Sequence, residues 1–252
     1  MQVLASMNRN IPNTPSKVTG VISVIIPAHN EQAYIGACLT SLMTAAAHPS
    51  LGGERVLIVV VLDDCTDGTR LVVDKFGVSV LECAARNVGS ARALGAQLAL
   101  AQGARWLAFT DADSEVAPNW ISQQLCQQTD AVCGTVKVRD WQAHDEAVRL
   151  RYDAQYQDSD GHRHIHGANF GLTAQAYRAA GGFQALVTGE DVALVNSLVA
   201  LGMSIAWTAA ARVTTSARKQ FRAPDGFGAH LLALGGVIGG ANCTERSPPL
   251  AL

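Results

Sequence analysis

The chain is poor in charge and in aromatic side chains. Of its 252 residues only 16% are Asp, Glu, Lys or Arg and 6% are aromatic, and the formal charge is -2. With no excess of positive charge there is no global field to draw in nucleic acid or an anionic membrane, so any phosphate binding has to be local. CxxC pairs are absent. Cys38, Cys65, Cys83, Cys126, Cys133 and Cys243 lie scattered, mostly in apolar segments, which argues for reduced core thiols and against a disulfide or zinc framework. No apolar run reaches the ~20 residues that cross a bilayer. The longest late run, Leu231 to Ala241, has eleven residues, four of them glycine. The first twenty residues match neither a signal peptide nor an anchor. The expectation is a cytoplasmic location, with Leu231 to Ala241 packing in the core or touching a membrane surface. The first apolar run is followed by PAHNEQ, with neither GxGxxG nor a glycine-rich basic loop. That excludes a dinucleotide-dependent oxidoreductase and disfavours a sugar nucleotidyltransferase.

What is present is a composition suited to a packed globule, 48% hydrophobic. One domain is expected over residues 20–230, with poorly ordered residues 1–19 before it and an apolar segment and tail, 231–252, after it. Val21 to Pro27 and Val56 to Leu62 are β-branched runs that read as strands buried on both faces. Val78 to Leu81 and Trp106 to Phe109 read as two more. Helical patterns alternate with them: one opened by Asn30 as cap with Glu31 at its positive end, and one over Ser90 to Gln102. Beyond Asn119 the pattern loosens to a helix at Ile121 to Gln128, a strand at Val132 to Val138 and a polar helix at Ala143 to Gln157. The alternation predicts an α/β fold with a mostly parallel central sheet flanked by helices, and ligands outside the carboxyl ends of its strands.

That rule selects the polar turns at His29, Asp64 and Asp111. Asp111-Ala112-Asp113 places two carboxylates where a strand ends, hard oxygen donors that suit Mg2+ or Mn2+ completed by phosphate and water. Alone, such a pair is more often a turn that caps a helix. Asp63 and Asp64 put a second acidic pair at the same edge, and four crowded carboxylates repel unless a cation or polar ligand is present. Asp67 and Thr69 serve equally well as turn and cap residues.

The segments VISVIIPAHNEQAYIGACLTSL, LDDCTDGT, ARNVGSARALGAQLA, WLAFTDADS and GEDVAL, in this order, resemble family 2 glycosyltransferases, an inverting group with the GT-A fold; the resemblance runs over roughly residues 21–215. It implies transfer of a sugar from a nucleotide-diphosphate sugar, most commonly UDP-linked, to the hydroxyl of a glycan or lipid-linked acceptor, assisted by Mn2+ or Mg2+. By that resemblance Pro27, His29 and Glu31 line the nucleotide pocket, Asp64 bonds the base, and Arg86 and Asn87 lie near the nucleotide, with Gly89 allowing close approach. Asp111 faces the ribose and Asp113 ligates the metal. Glu190-Asp191 matches the catalytic acidic pair, with Asp191 the general base. A carboxylate in a partly dry pocket suits that task on physical grounds as well, although Gly189-Glu190-Asp191 also reads as an ordinary helix start. Within GHRHIHGANFGL, His166 and Asn169 fall on the acceptor and donor-sugar side. His162, His164 and His166 alternate, so on a strand they would share a face; the missing carboxylate or cysteine makes a polar face the better reading than a metal site. Arg212, Arg218, Lys219 and Arg222 form a basic stretch, either solvated or closing over the diphosphate, with Arg218 the first choice. The absence of QxxRW and of membrane helices favours single-sugar transfer over polymer extrusion. A catalytically silent nucleotide-sugar-binding or scaffolding protein is the alternative from another class.

Overall fold

The computed structural model describes residues 20–139, 141, 144–217 and 233–235. β1 (Val21–Ala28) and β2 (Val56–Asp63) are nearly fully buried and pair in parallel, as their unbroken apolar runs require. Helix α1 (Ile35–Ala46) links them. Alternate residues of β1 enter different cores: Ile22, Val24 and Ile26 pack with Leu39 and Leu42 of α1, whereas Ile25 faces Ala96 and Ala99 across the sheet. α2 (Thr69–Val73) leads to β3 (Ser79–Cys83), and α3 (Val88–Ala101) leads to β4 (Ala104–Phe109). β3 is parallel to β2 and β4 to β1, so β1 to β4 end on one edge of the sheet.

The remainder completes an eight-stranded sheet. After β5 (Glu115–Val116) and α4 (Trp120–Cys126) come β6 (Ala131–Val138), α5 (Glu146–Gln155), β7 (Phe170–Thr173), α6 (Ala174–Ala179), α7 (Glu190–Ala200) and β8 (Ile205–Thr215). The order is β3-β2-β1-β4-β7-β6-β8-β5. β7 is antiparallel to both β4 and β6, and β5 to β8, so the sheet is mostly but not wholly parallel. The register Phe109↔Phe170 places the start of β7 beside the end of β4. Antiparallel β7 thereby delivers Gly167 to the carboxyl edge of the parallel strands.

The Asn30 cap is not found. α1 begins at Ile35, and the Asn30 side chain instead accepts from Thr66 N at 2.7 Å and Asp67 N at 3.3 Å, tying the first loop to the second. No strand forms at His162 to His166; the rings of His162, His164 and His166 stack in sequence at 5.4 Å and 5.9 Å, with Tyr156 against His164 at 4.2 Å. Among the described cysteines Cys38 and Cys133 are core thiols, Cys65 and Cys83 are half-buried and Cys126 is exposed; all are free. Of Leu231 to Ala241 only residues 233–235 are described, and Leu234 packs on Val148 and Tyr152 of α5. No described helix is long and apolar enough to cross a membrane.

Candidate active site

At the carboxyl edge the first three loops are held in uncommon backbone conformations. Asn30, Asp64 and Arg86 have φ of 54°, 53° and 47°, and they are three of the four non-glycine residues with positive φ among those described. Such conformations cost energy and tend to gather at functional sites. His29, directly after β1, donates from Nδ1 to the Asp63 carbonyl at 2.5 Å. Pro27 is half-buried in β1 opposite Val61. Glu31 is buried at the mouth of this edge; its amide donates to Thr69 Oγ1 at 2.8 Å. Asp67 shapes the second loop, accepting from Thr69 N at 2.9 Å and Gln32 N at 3.1 Å.

The two adjacent aspartates at the end of β2 diverge. Asp63 is buried, and its carboxylate accepts from the backbone N–H groups of Ala85 (2.7 Å), Arg86 (2.8 Å) and Asn87 (2.8 Å). Asp64 turns outward and pairs with Arg86 Nε. Three of the four carboxylates thus have protein partners of their own. One is consumed by backbone donors, one is paired with Arg86 and a third, Asp111, is paired with Arg92. Asn87 is the N-cap of α3, accepting from Ser90 N at 2.8 Å while donating to Leu186 O at 2.7 Å. Gly89 does allow close approach, but of protein: a Cβ there would lie 2.1 Å from the Gln184 carbonyl oxygen. Both contacts clamp the 184–189 loop, which carries the Glu190-Asp191 pair.

Sequence reading passed over Arg92. It is 3% exposed, donates from Nη2 to Asp111 at 2.6 Å and from Nη1 to Glu190, and lies over the Phe183 ring at 5.6 Å. Burial works against its charge, but Asp111, Glu190 and Asp191 override it and hold the guanidinium above its ordinary pKa. Burial also pushes the Glu190 carboxyl up, against the pull of Arg92. One signal was present: Arg92 sits three, four and seven residues before Gly95, Ala96 and Ala99, on the inner stripe of α3. Asp191, in the first turn of α7, accepts from Gly167 N at 2.7 Å and from Val192 N at 2.8 Å. The helix-start and site readings of this pair are thus compatible.

Asp113 lies beyond β4, where Ser114 Oγ approaches its carboxylate at 3.4 Å. Among the described residues no three His, Cys, Asp or Glu side chains converge as a metal-binding group. The protein's donors here are the carboxylates of Asp113 and Asp111. That small set of hard oxygens fits Mg2+ or Mn2+ when phosphate and water supply the rest of the shell.

The model of Glycosyl transferase family 2 matches residues 23–181. The chain belongs to this family. No curated protein matches it. Solved structures similar to this family 2 chain include TarS 1-349 from S. aureus in complex with UDP-GlcNAc, at TM-score 0.60 and 18% identity over 82% of this chain and 61% of that one. The mannosyltransferase PcManGT from Pyrobaculum calidifontis, in complex with GDP-Man and Mn2+, gives 0.60 and 18% over 81% and 59%. GalNAc-T7 with UDP, GalNAc and Mn2+ gives 0.59 and 17% over 79% and 44%. These likenesses establish the GT-A fold. The chain spans about 60% of the length of TarS 1-349.

One sequence assignment is met by a different environment in this family 2 chain. Asn169 does not face an acceptor: it is fully buried, donates to Thr135 O and Ala211 O, both at 2.7 Å, and accepts from Trp120 Nε1 at 2.8 Å. Its polar groups are spent joining β6, β8 and α4, so Asn169→Ala should lower stability by about 2–3 kcal/mol, three buried partners losing their bond; denaturant midpoints measure this. Arg218, Lys219 and Arg222 lie outside the described residues. Arg212 is committed to Asp158 at 2.8 Å. His166, by contrast, immediately precedes Gly167 and contacts the Tyr156 hydroxyl at 3.1 Å, beside the Asp191 loop.

Proposed function

We propose that this chain is an inverting glycosyltransferase that moves a sugar from a nucleotide-diphosphate sugar, UDP-linked, to the hydroxyl of a glycan or lipid-linked acceptor in the cytoplasm. The observation that carries this reading is the meeting, at one carboxyl edge of a family 2 fold, of Asp64, the Asp111/Asp113 pair and the Glu190/Asp191 pair. Asp64, with Arg86 against it, is oriented to accept from a base N–H. Pro27, His29 and Glu31 form the floor of the nucleoside pocket and Asn87 fixes its far wall. Asp111, steered by Arg92, meets the ribose. Asp113 would hold the Mn2+ or Mg2+, which when bound neutralises charge on the departing diphosphate. Asp191 takes the acceptor proton: both its oxygens accept a backbone N–H, and each keeps a second lone pair for the hydroxyl. Burial of Glu190 beside it keeps water from that face.

Calorimetric titration with UDP and a panel of UDP- and GDP-sugars, with and without Mn2+, tests the donor side. Binding should require Mn2+ and weaken at least about tenfold (~1.4 kcal/mol) in Asp113→Ala. Equal binding without the metal would remove Asp113 from its role, and no binding of any nucleotide would sink the donor assignment.

A further inference from the structure

An arginine on the inner stripe of an alanine-rich helix is a costly choice, because burying its charge is unfavourable unless anions meet it. In α3 two anions do. Asp111 and Glu190 lie 19 and 98 positions away in the chain, one after β4 and the other at the head of α7. The planar guanidinium presents its two terminal nitrogens to both at once, which the single ammonium of a lysine cannot do. Arg92 Nε, also buried, has no hydrogen-bond partner among the described residues, a cost tolerated only where the remaining contacts outweigh it.

A third contact extends the network. A Cβ on Gly167 would lie 2.4 Å from both terminal nitrogens of Arg92, so only glycine admits the guanidinium there. The amide of this same Gly167 donates to Asp191. Any movement of Arg92 is therefore transmitted to Asp111, to Glu190 and, through the Gly167 backbone, to Asp191. We infer that Arg92 is a positioning residue that couples the Asp111 side of the site to the Glu190-Asp191 side, so that a change on one side is felt on the other. The catalytic meaning of the two sides rests on the function proposed above; the coupling itself does not.

The shared cation makes a prediction of sign. With Arg92 present, each carboxylate neutralises it, and removing both is worse than the sum of the two removals. With Arg92 replaced by methionine the carboxylates only repel each other, and removing one relieves the strain. Thermal unfolding at neutral pH of Arg92→Met, Glu190→Gln and the double variant reads this: Glu190→Gln should lower the Tm of the wild-type chain and raise that of Arg92→Met. Arg92→Gln is uncharged but polar and serves where the methionine variant does not fold; in it, the super-additive loss of Asp111→Asn with Glu190→Gln should disappear.

A second readout separates coupling from mere stability. In the wild-type background Glu190→Gln should change the Kd of UDP with Mn2+ by at least about two- to threefold, the low end of coupling between residues that share a partner. In the Arg92→Gln background the same substitution should leave it unchanged. Additive Tm effects, with Glu190→Gln destabilising both backgrounds alike, would overturn the inference. So would a Glu190→Gln effect on UDP binding that survives in Arg92→Gln. If the wild-type chain binds no UDP, the donor assignment fails, and the sign of the Tm effects alone decides the role of Arg92.

Discussion

Asp191→Asn is expected to reduce kcat by about 10²- to 10⁴-fold, the usual contribution of a positioned general base, while the Kd of the donor with Mn2+ stays within about threefold. The substitution is not structurally silent. Both carboxylate oxygens of Asp191 accept from backbone N–H groups, Oδ2 from Gly167 and Oδ1 from Val192. An asparagine in either orientation turns its NH2 toward one of these donors. It loses that bond and sets two N–H groups against each other, so a stability loss of about 1–2 kcal/mol should accompany the kinetic effect. The two are separable by measuring turnover well below the variant's Tm, where the folded population is complete. A kcat near wild type under those conditions would remove Asp191 from proton transfer. A donor Kd weakened in step with kcat would instead mean that the 167–169 turn had shifted against the nucleotide site.

The first half of this fold was legible because its strands are buried on both faces. Runs such as VLIVVVL cannot sit at a surface, and the polar residue after each run marks where the chain leaves the sheet. Parallel connection then puts those exits on one edge. From β5 onward the sequence loses that clarity: β7 is four residues long, six of the eleven β8 positions are not fully buried, and strands that pair antiparallel with β4 and β8 obey no alternation rule. The placement of Gly167 beside Asp191 follows from that antiparallel insertion and could not be read from spacing. Side-chain roles were harder still. Asn169 lies in a segment rich in polar residues, where a pocket contact and a core tie look alike until the neighbouring strands are known. Arg92 has a high helix propensity and passes unnoticed in an alanine-rich helix unless its position on the inner stripe is counted. The helix start after β1 went wrong because Asn30 has a second use: with positive φ it bridges to the next loop, leaving the first turn to begin later.

The paired aspartates at the end of β2 look equivalent in sequence and should respond in opposite ways. Asp63→Ala is expected to lower stability by roughly 3–5 kcal/mol, since three backbone N–H groups lose an ionised acceptor at a buried site. Against a typical total of about 5–15 kcal/mol that loss is large. The damage concentrates where Ala85, Arg86 and Asn87 lead from β3 into α3, and Asn87 is the cap of that helix. Asp63→Asn should cost less, about 1–2 kcal/mol, because one oxygen still serves the Ala85 and Arg86 amides while the new NH2 faces that of Asn87. Asp64→Ala removes only an ion pair in which Arg86 is 75% exposed, worth at most about 1 kcal/mol. Under the proposed function its effect should fall instead on nucleotide affinity, through the lost acceptor for the base. Urea midpoints and UDP titrations on the two alanine variants therefore form a crossed pair, one failing in stability and the other in binding. If Asp63→Ala unfolded with the wild-type midpoint, the backbone cradle would not be what holds the 85–87 turn. If Asp64→Ala bound UDP like wild type, the base would have to be recognised elsewhere on the edge. The division reflects geometry: Asp63, at the last position of β2, points under the 85–87 turn, whereas Asp64, with its positive φ, turns outward toward Arg86.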